Sequence, residues 1–67
     1  MNNKSLRQWR IVRGMTISEL SEKSGISERA IKYLENDTQR IGRAKISTLE
    51  SLCKVLGINL SRIDRNV

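Results

Sequence analysis

Arg29, Lys32, Tyr33 and Asn36 are separated by three, four and seven residues, so on a helix they share one face. Two cations, a phenol and a carboxamide in that register can read hydrogen-bonding edges. Arginine and lysine can donate to guanine O6 and N7, Glu28 at the border of the face can accept from cytosine N4, and Tyr33 can touch a thymine methyl or a phosphate. The chemistry is recognition, not catalysis. With no histidine in the chain, no paired carboxylates and no phosphate-binding glycine loop, no catalytic constellation can be assembled. A lone cysteine, Cys53, permits neither an internal disulfide nor a closed zinc site. No metal and no cofactor are expected.

The elements that would carry this face are short. Stepping about 100° per residue from Ile31 places Leu34 and Ile26 on one side, with Ala30 at its edge, so that side turns to a core and the cationic side turns out. Ser27 is placed to cap this helix, predicted over about 28–36, and its hydroxyl joins Glu28 at the exposed start. Glu28 can equally serve there by stabilising the positive end of the helix. Upstream, Thr16 and Glu19 form a threonine-x-x-glutamate capping box that opens a helix from about Ile17 to Ser24. Gly25 closes that helix, because a residue just past a helix end often needs positive φ. Two helices joined by so short a break make a helix-turn-helix.

The rest of the chain reads as scaffold. Ser5 and Gln8 form another capping pair before a helix from about Leu6 to Arg13, with Leu6, Trp9 and the following Met15 inward and Lys4, Arg7 and Arg13 giving a basic side. Ile11 and Val12 imply either a wider buried face or a small exposed patch. The stretch TQRIGRAK reads as a cationic loop carrying Arg40, Arg43 and Lys45. Ser47 and Glu50 then match a third capping box, before a helix from about Thr48 to Leu56 that buries Leu49, Leu52, Cys53 and Leu56 and stops at Gly57. Asn59 would cap a last short helix whose apolar residues are Leu60 and Ile63. With no proline and 67 residues, the expectation is an all-α fold, a compact bundle of about five short helices forming a single domain over residues 1–67.

Thirteen Lys and Arg against seven Asp and Glu give a net charge of +6 and a pI of about 10.3, in the range of nucleic-acid binders. Charge of this sign also serves solubility, so it gains meaning only beside the helical pattern. No apolar run approaches membrane-spanning length, and the start MNNKSLRQWR lacks the apolar middle of a signal peptide; a cytoplasmic protein is expected.

An ordered set of residues carries a resemblance over nearly the whole chain. It comprises Leu6, Trp9, Arg10 and Arg13, then Gly14-Met15-Thr16, Glu19-Leu20, Gly25-Ile26-Ser27, Ile31, Leu34-Glu35, Leu49, Leu52 and Leu56-Gly57-Ile58. In these the chain resembles the lambda-repressor and Cro-like helix-turn-helix family, whose docking on DNA is a worked example in structural biology. The resemblance implies sequence-specific double-stranded DNA binding by a transcriptional regulator of phage or bacterial type, most often a repressor, with the helix at 28–36 in the major groove. It implies base contacts from Ser27, Glu28, Arg29, Lys32 and Tyr33, and DNA-backbone contacts from Thr16, Ile17, Asn36, Arg40 and Arg43. It also implies an internal ion pair between Arg10 and Glu35. Glu35 lies only about 40° from Ile31 on the helical wheel, which suits a partly buried carboxylate; the alternative is that Arg10 grips a phosphate.

One position departs from the family pattern. Ile17 stands where these repressors usually carry a glutamine that touches phosphate and braces the recognition helix. Backbone N–H groups at that helix start can still bind phosphate, or Ile17 simply packs. The departure also leaves room for a second function, a protein-interaction module of the same fold such as an antitoxin or adaptor. The family generally binds as a two-fold dimer, and the exposed apolar residues available for a homodimer are expected at the C-terminal end, in Leu60, Ile63 and Val67.

Overall fold

A computed structural model describes residues 4–63, and its core forms where four short α-helices turn their apolar stripes toward one another. These are α1 (Leu6–Val12), α2 (Ile17–Ser24), α3 (Glu28–Asn36) and α4 (Ile46–Leu56). Two 3₁₀ segments, Thr38–Arg43 and Leu60–Arg62, complete the chain, and the fold is all-α as expected. Leu6 and Trp9 enter the core from α1, Leu20 from α2, Ile31 and Leu34 from α3, and Leu49, Leu52, Cys53 and Leu56 from α4. Within α1, α3 and α4 these residues recur at spacings of three, four or seven, the inward stripe of a helix.

Local chemistry fixes the helix starts. Ser5 Oγ accepts the N–H of Gln8 at 3.2 Å while Gln8 Oε1 accepts the N–H of Ser5 at 2.9 Å. Thr16 and Glu19 repeat the exchange at 3.0 and 2.9 Å, so both boxes satisfy backbone donors that the helix leaves unpaired. Gly25 ends α2 in the left-handed region at φ 76°. A side chain there would strain the backbone by roughly 1–2 kcal/mol. Ser27 then caps α3 by accepting the N–H of Ala30 at 3.1 Å.

The two capping boxes respond differently to acid. Glu19 is held below the ordinary glutamate range, first by the N–H of Thr16 and then by the Thr16 hydroxyl. A carboxylate lowered on folding contributes stability that is present above the unfolded value and is lost as pH falls through the folded one. The Thr16 amide proton is therefore expected to shift with an apparent pKa below that of free glutamate in an NMR titration, and Glu19→Gln should abolish the shift. A Thr16 amide that ignores pH in the wild type would contradict this. Gln8 makes the same bond without a charge, so the start of α1 should not titrate.

Three expectations need correction. Ser47 and Glu50 do not form a capping box. α4 begins at Ile46, and its N-cap Lys45 makes no side-chain cap bond. The Ala44 N–H bonds the Ile41 carbonyl at 3.2 Å, and Ala44 packs against the core, which turns the chain into the helix at Lys45 and leaves Ser47 already inside its first turn. The stretch expected as a cationic loop is a 3₁₀ helix that buries Ile41, so it is pinned through its middle.

The third correction concerns the C-terminal end. Asn59 precedes a 3₁₀ turn of three residues and makes no side-chain cap bond. Ile63 is only 2% exposed, paired with Lys4 in an isolated parallel bridge. The Arg62 carbonyl accepts both the Lys4 N–H at 3.2 Å and the Trp9 indole N–H at 3.0 Å. Ile63 thus belongs to the core, and Leu60 is half-buried against it. Neither forms the free apolar surface expected for a homodimer, and Val67 lies outside the described residues.

Candidate nucleic-acid interface

α3 is presented by three contacts that leave its outer face open. It packs on α2, on α1 and on the Thr38–Arg43 segment, with Ile31 and Leu34 buried, while Glu28, Arg29, Lys32, Tyr33 and Asn36 are all exposed. Ile11 and Val12 on α1 are exposed as well, at 56% and 53%, which resolves them as a small surface patch.

The orientation of α3 is set by a partly buried charge pair. Arg10 Nε donates to Glu35 Oε2 at 2.7 Å and Nη2 donates to Oε1 at 3.1 Å. Nη1 turns the other way and donates to the Met15 carbonyl at 2.9 Å. One guanidinium therefore ties α1 to α3 and to the segment that leads into α2. The bond to Glu35 raises the Arg10 pKa, against the opposing effect of burial, so the guanidinium stays charged. Its Nε, Nη1 and Nη2 all donate within the protein.

Ile17, Lys32, Tyr33, Asn36, Arg40 and Arg43 line two depressions that flank α3. On the α1 and α2 side, Lys32 and Asn36 meet Arg7, Arg10 and Ile17 around a hollow of about 220 Å³. Ile17 is half-buried and packs on the core. Its side chain takes no polar role, but the N–H groups of Ile17 and Ser18 precede the helical ladder. From sequence Arg7 was read only as part of the basic side of α1, not as a DNA contact. Its position three residues before Arg10, on the same face of α1, is the signal that could have found it.

On the other side, Arg40 and Arg43 meet Tyr33, Ala30, Ala44 and Thr48 around a hollow of about 200 Å³. Arg43 is exposed, whereas Arg40 is half-buried with its guanidinium 4.2 Å from the Tyr33 ring centroid. Thr16 and Ser27 are exposed, but their oxygens already accept the N–H groups of Glu19 and Ala30. Each hydroxyl can still offer its proton and a second lone pair to a neighbouring group.

Cys53 is free and buried, and desolvation, with a smaller contribution from Glu50, pushes its thiol above the ordinary value, the opposite of an activated nucleophile. Among the described residues no cluster of His, Cys, Asp and Glu could hold a metal ion, and no helix is long and apolar enough to cross a membrane.

Comparison with protein families decides the affiliation, because a helix-turn-helix family model matches residues 6–63. The chain belongs to the lambda-repressor-like helix-turn-helix family. This is a family of DNA-binding transcription regulators. Neither the curated proteins nor the solved structures contain a significant match to the chain. In this helix-turn-helix protein α2 and α3 are the motif's two helices, and the match extends over the scaffold from α1 to Ile63.

Proposed function

We propose that this helix-turn-helix protein is a sequence-specific double-stranded DNA-binding regulator that represses transcription by occupying its site. The observation that carries the reading is the open face of α3, where Arg29, Lys32, Tyr33 and Asn36 project from a helix whose opposite side is locked by Arg10 and Glu35. α3 enters the major groove while α2 crosses the backbone. Arg29 and Lys32 donate to guanine, Glu28 accepts from cytosine, Tyr33 meets a thymine methyl, and Ser27 donates its hydroxyl proton at the leading end. Thr16, Asn36, Arg43, Arg7 and the N–H groups at Ile17 and Ser18 hold phosphates on the two flanks.

Selection of bound sites from random duplex DNA tests the reading, followed by isotherms on selected and scrambled duplexes across a salt series. The selected site should bind at least about a thousandfold more tightly. Affinity should fall steeply with salt, by about 0.9 in log–log slope for each phosphate neutralised. A homodimer would select a near-palindrome with half-site centres about 34–36 Å apart, so the symmetry of the site reports how many copies bind.

A second reading is favoured by Ile17, which removes the family's usual phosphate-touching side chain, and by the exposed Ile11 and Val12. It is a module of the same fold that binds a protein partner. Equal affinity for selected and scrambled duplexes would put this reading ahead, since an apolar protein interface lacks the steep salt dependence of counterion release.

A further inference from the structure

α3 ends without a backbone cap. Asp37 leaves the helix in extended conformation at φ −152° and ψ 114°, so its N–H does not close the last turn. The Tyr33 carbonyl, which a continuing helix would have paired with that N–H, accepts instead from Arg40 Nη1 at 3.0 Å. The same guanidinium lies 4.2 Å from the centroid of the Tyr33 ring, within the range of a cation–π contact. A single side chain thus holds both the backbone and the ring of one residue.

Arg40 is itself firmly placed. Asp37 Oδ1 accepts the Gln39 N–H and the Asp37 carbonyl accepts the Arg40 N–H, both at 2.9 Å, while the adjacent Ile41 is buried. The 3₁₀ segment is therefore fixed on either side of Arg40. The residue it holds is not. Tyr33 is 54% exposed on the open face of α3, where no core neighbour selects among its side-chain rotamers.

We propose that Arg40 is a positioning residue for recognition: it locks the Tyr33 ring in one orientation and thereby sets base-pair preference at the Tyr33 position, instead of gripping a phosphate. The inference rests on the DNA-binding reading above. Fixing such a side chain before binding removes an ordering cost of about 0.5–1.5 kcal/mol, which corresponds to a roughly two- to tenfold effect.

The test compares Arg40→Ala, Arg40→Lys, Tyr33→Ala and the double variant Arg40→Ala with Tyr33→Ala. Each is titrated over a salt series with the selected duplex and with duplexes changed at single base pairs. Arg40→Ala and Arg40→Lys should both lose about two- to tenfold preference at the base pair that Tyr33→Ala relaxes. Neither should change the salt slope, and Arg40→Ala should add nothing in the Tyr33→Ala background. In the free protein, NMR should show the Arg40 side-chain methylene protons shifted upfield by the Tyr33 ring, and Tyr33→Ala should abolish that shift.

Contrary results are distinct from these. Retention of preference by Arg40→Lys, with a salt slope reduced by about one in Arg40→Ala, would make Arg40 a phosphate contact and overturn the inference. So would a Tyr33→Ala variant that relaxes no base pair, or the absence of the ring-current shift. These outcomes leave wild-type preference for the selected duplex intact, whereas a wild type without that preference removes the DNA-binding reading and this inference together.

Discussion

Replacing Glu35 by alanine should destabilise the folded protein by about 3 kcal/mol, the lower part of the range for breaking a buried ion pair from one side. The side chains of Arg10 and Glu35 are 13% and 6% exposed, so water can do little to replace the lost partner. Arg10 Nε and Nη2 would be left unpaired in a protein that otherwise leaves no buried side-chain nitrogen or oxygen without a hydrogen bond among the described residues. Urea unfolding followed by Trp9 fluorescence measures the loss. A change below about 1 kcal/mol, the scale of exposed pairs, would show that the pair is solvated.

The same pair carries a second expectation. Removing both charges, as in Arg10→Met with Glu35→Leu, should recover most of the stability, because two apolar side chains of similar volume avoid the desolvation cost of both ions. What the double variant should not recover is DNA binding. The Arg10 guanidinium fixes α3 through Glu35 and the segment before α2 through the Met15 carbonyl, a directional link that apolar packing does not reproduce.

How far the sequence speaks for itself depends on how local each determinant is. Thr16 with Glu19, Gly25, and Ser27 were legible because each acts on backbone within four residues of itself. The apolar stripes of α3 and α4 were legible for the same reason, since helical periodicity is a local pattern. Ser47 and Glu50 show the limit of such patterns. Their spacing is right for a capping box, yet packing of Ile41 and Ala44 decides where α4 begins, and that decision is not contained in the four residues.

Ile63 was misread, and the contacts of Arg40 were not foreseen, for a different reason. Ile63 looks like a stray apolar residue near the C-terminal end until its neighbours are known. They come from the other end of the chain, where Lys4 and Trp9 meet the Arg62 carbonyl. Arg40 looks like one cation among several in a polar stretch. Its contacts are to the uncapped end of α3 and to a ring seven residues earlier, neither of which has a signature in charge or hydropathy. Arg10 and Glu35, 25 residues apart, became legible only through the family resemblance.

The largest effect on recognition is expected from Arg29 and Lys32. Both are exposed on the outer face of α3, and neither takes part in any hydrogen bond or ion pair among the described residues that would have to break before a base edge could be met. Arg29→Ala and Lys32→Ala should each relax preference at a particular base pair, by about 1–3 kcal/mol where the contact is bidentate. If their base pairs are well separated, the double variant should lose about 2–6 kcal/mol of discrimination, since mismatch costs then add approximately. Arg43→Ala supplies the contrast. It lies on the flank of α3 and should weaken selected and scrambled duplexes alike, lowering the salt slope by about one for a lost phosphate contact. Isotherms on single-base-pair variants of the selected site at several salt concentrations separate the two patterns. Lys32 borders the hollow it shares with Arg7 and Asn36, so it is the sharper case: a uniform loss in Lys32→Ala would move it to the phosphate clamp and leave Arg29 as the reader of guanine.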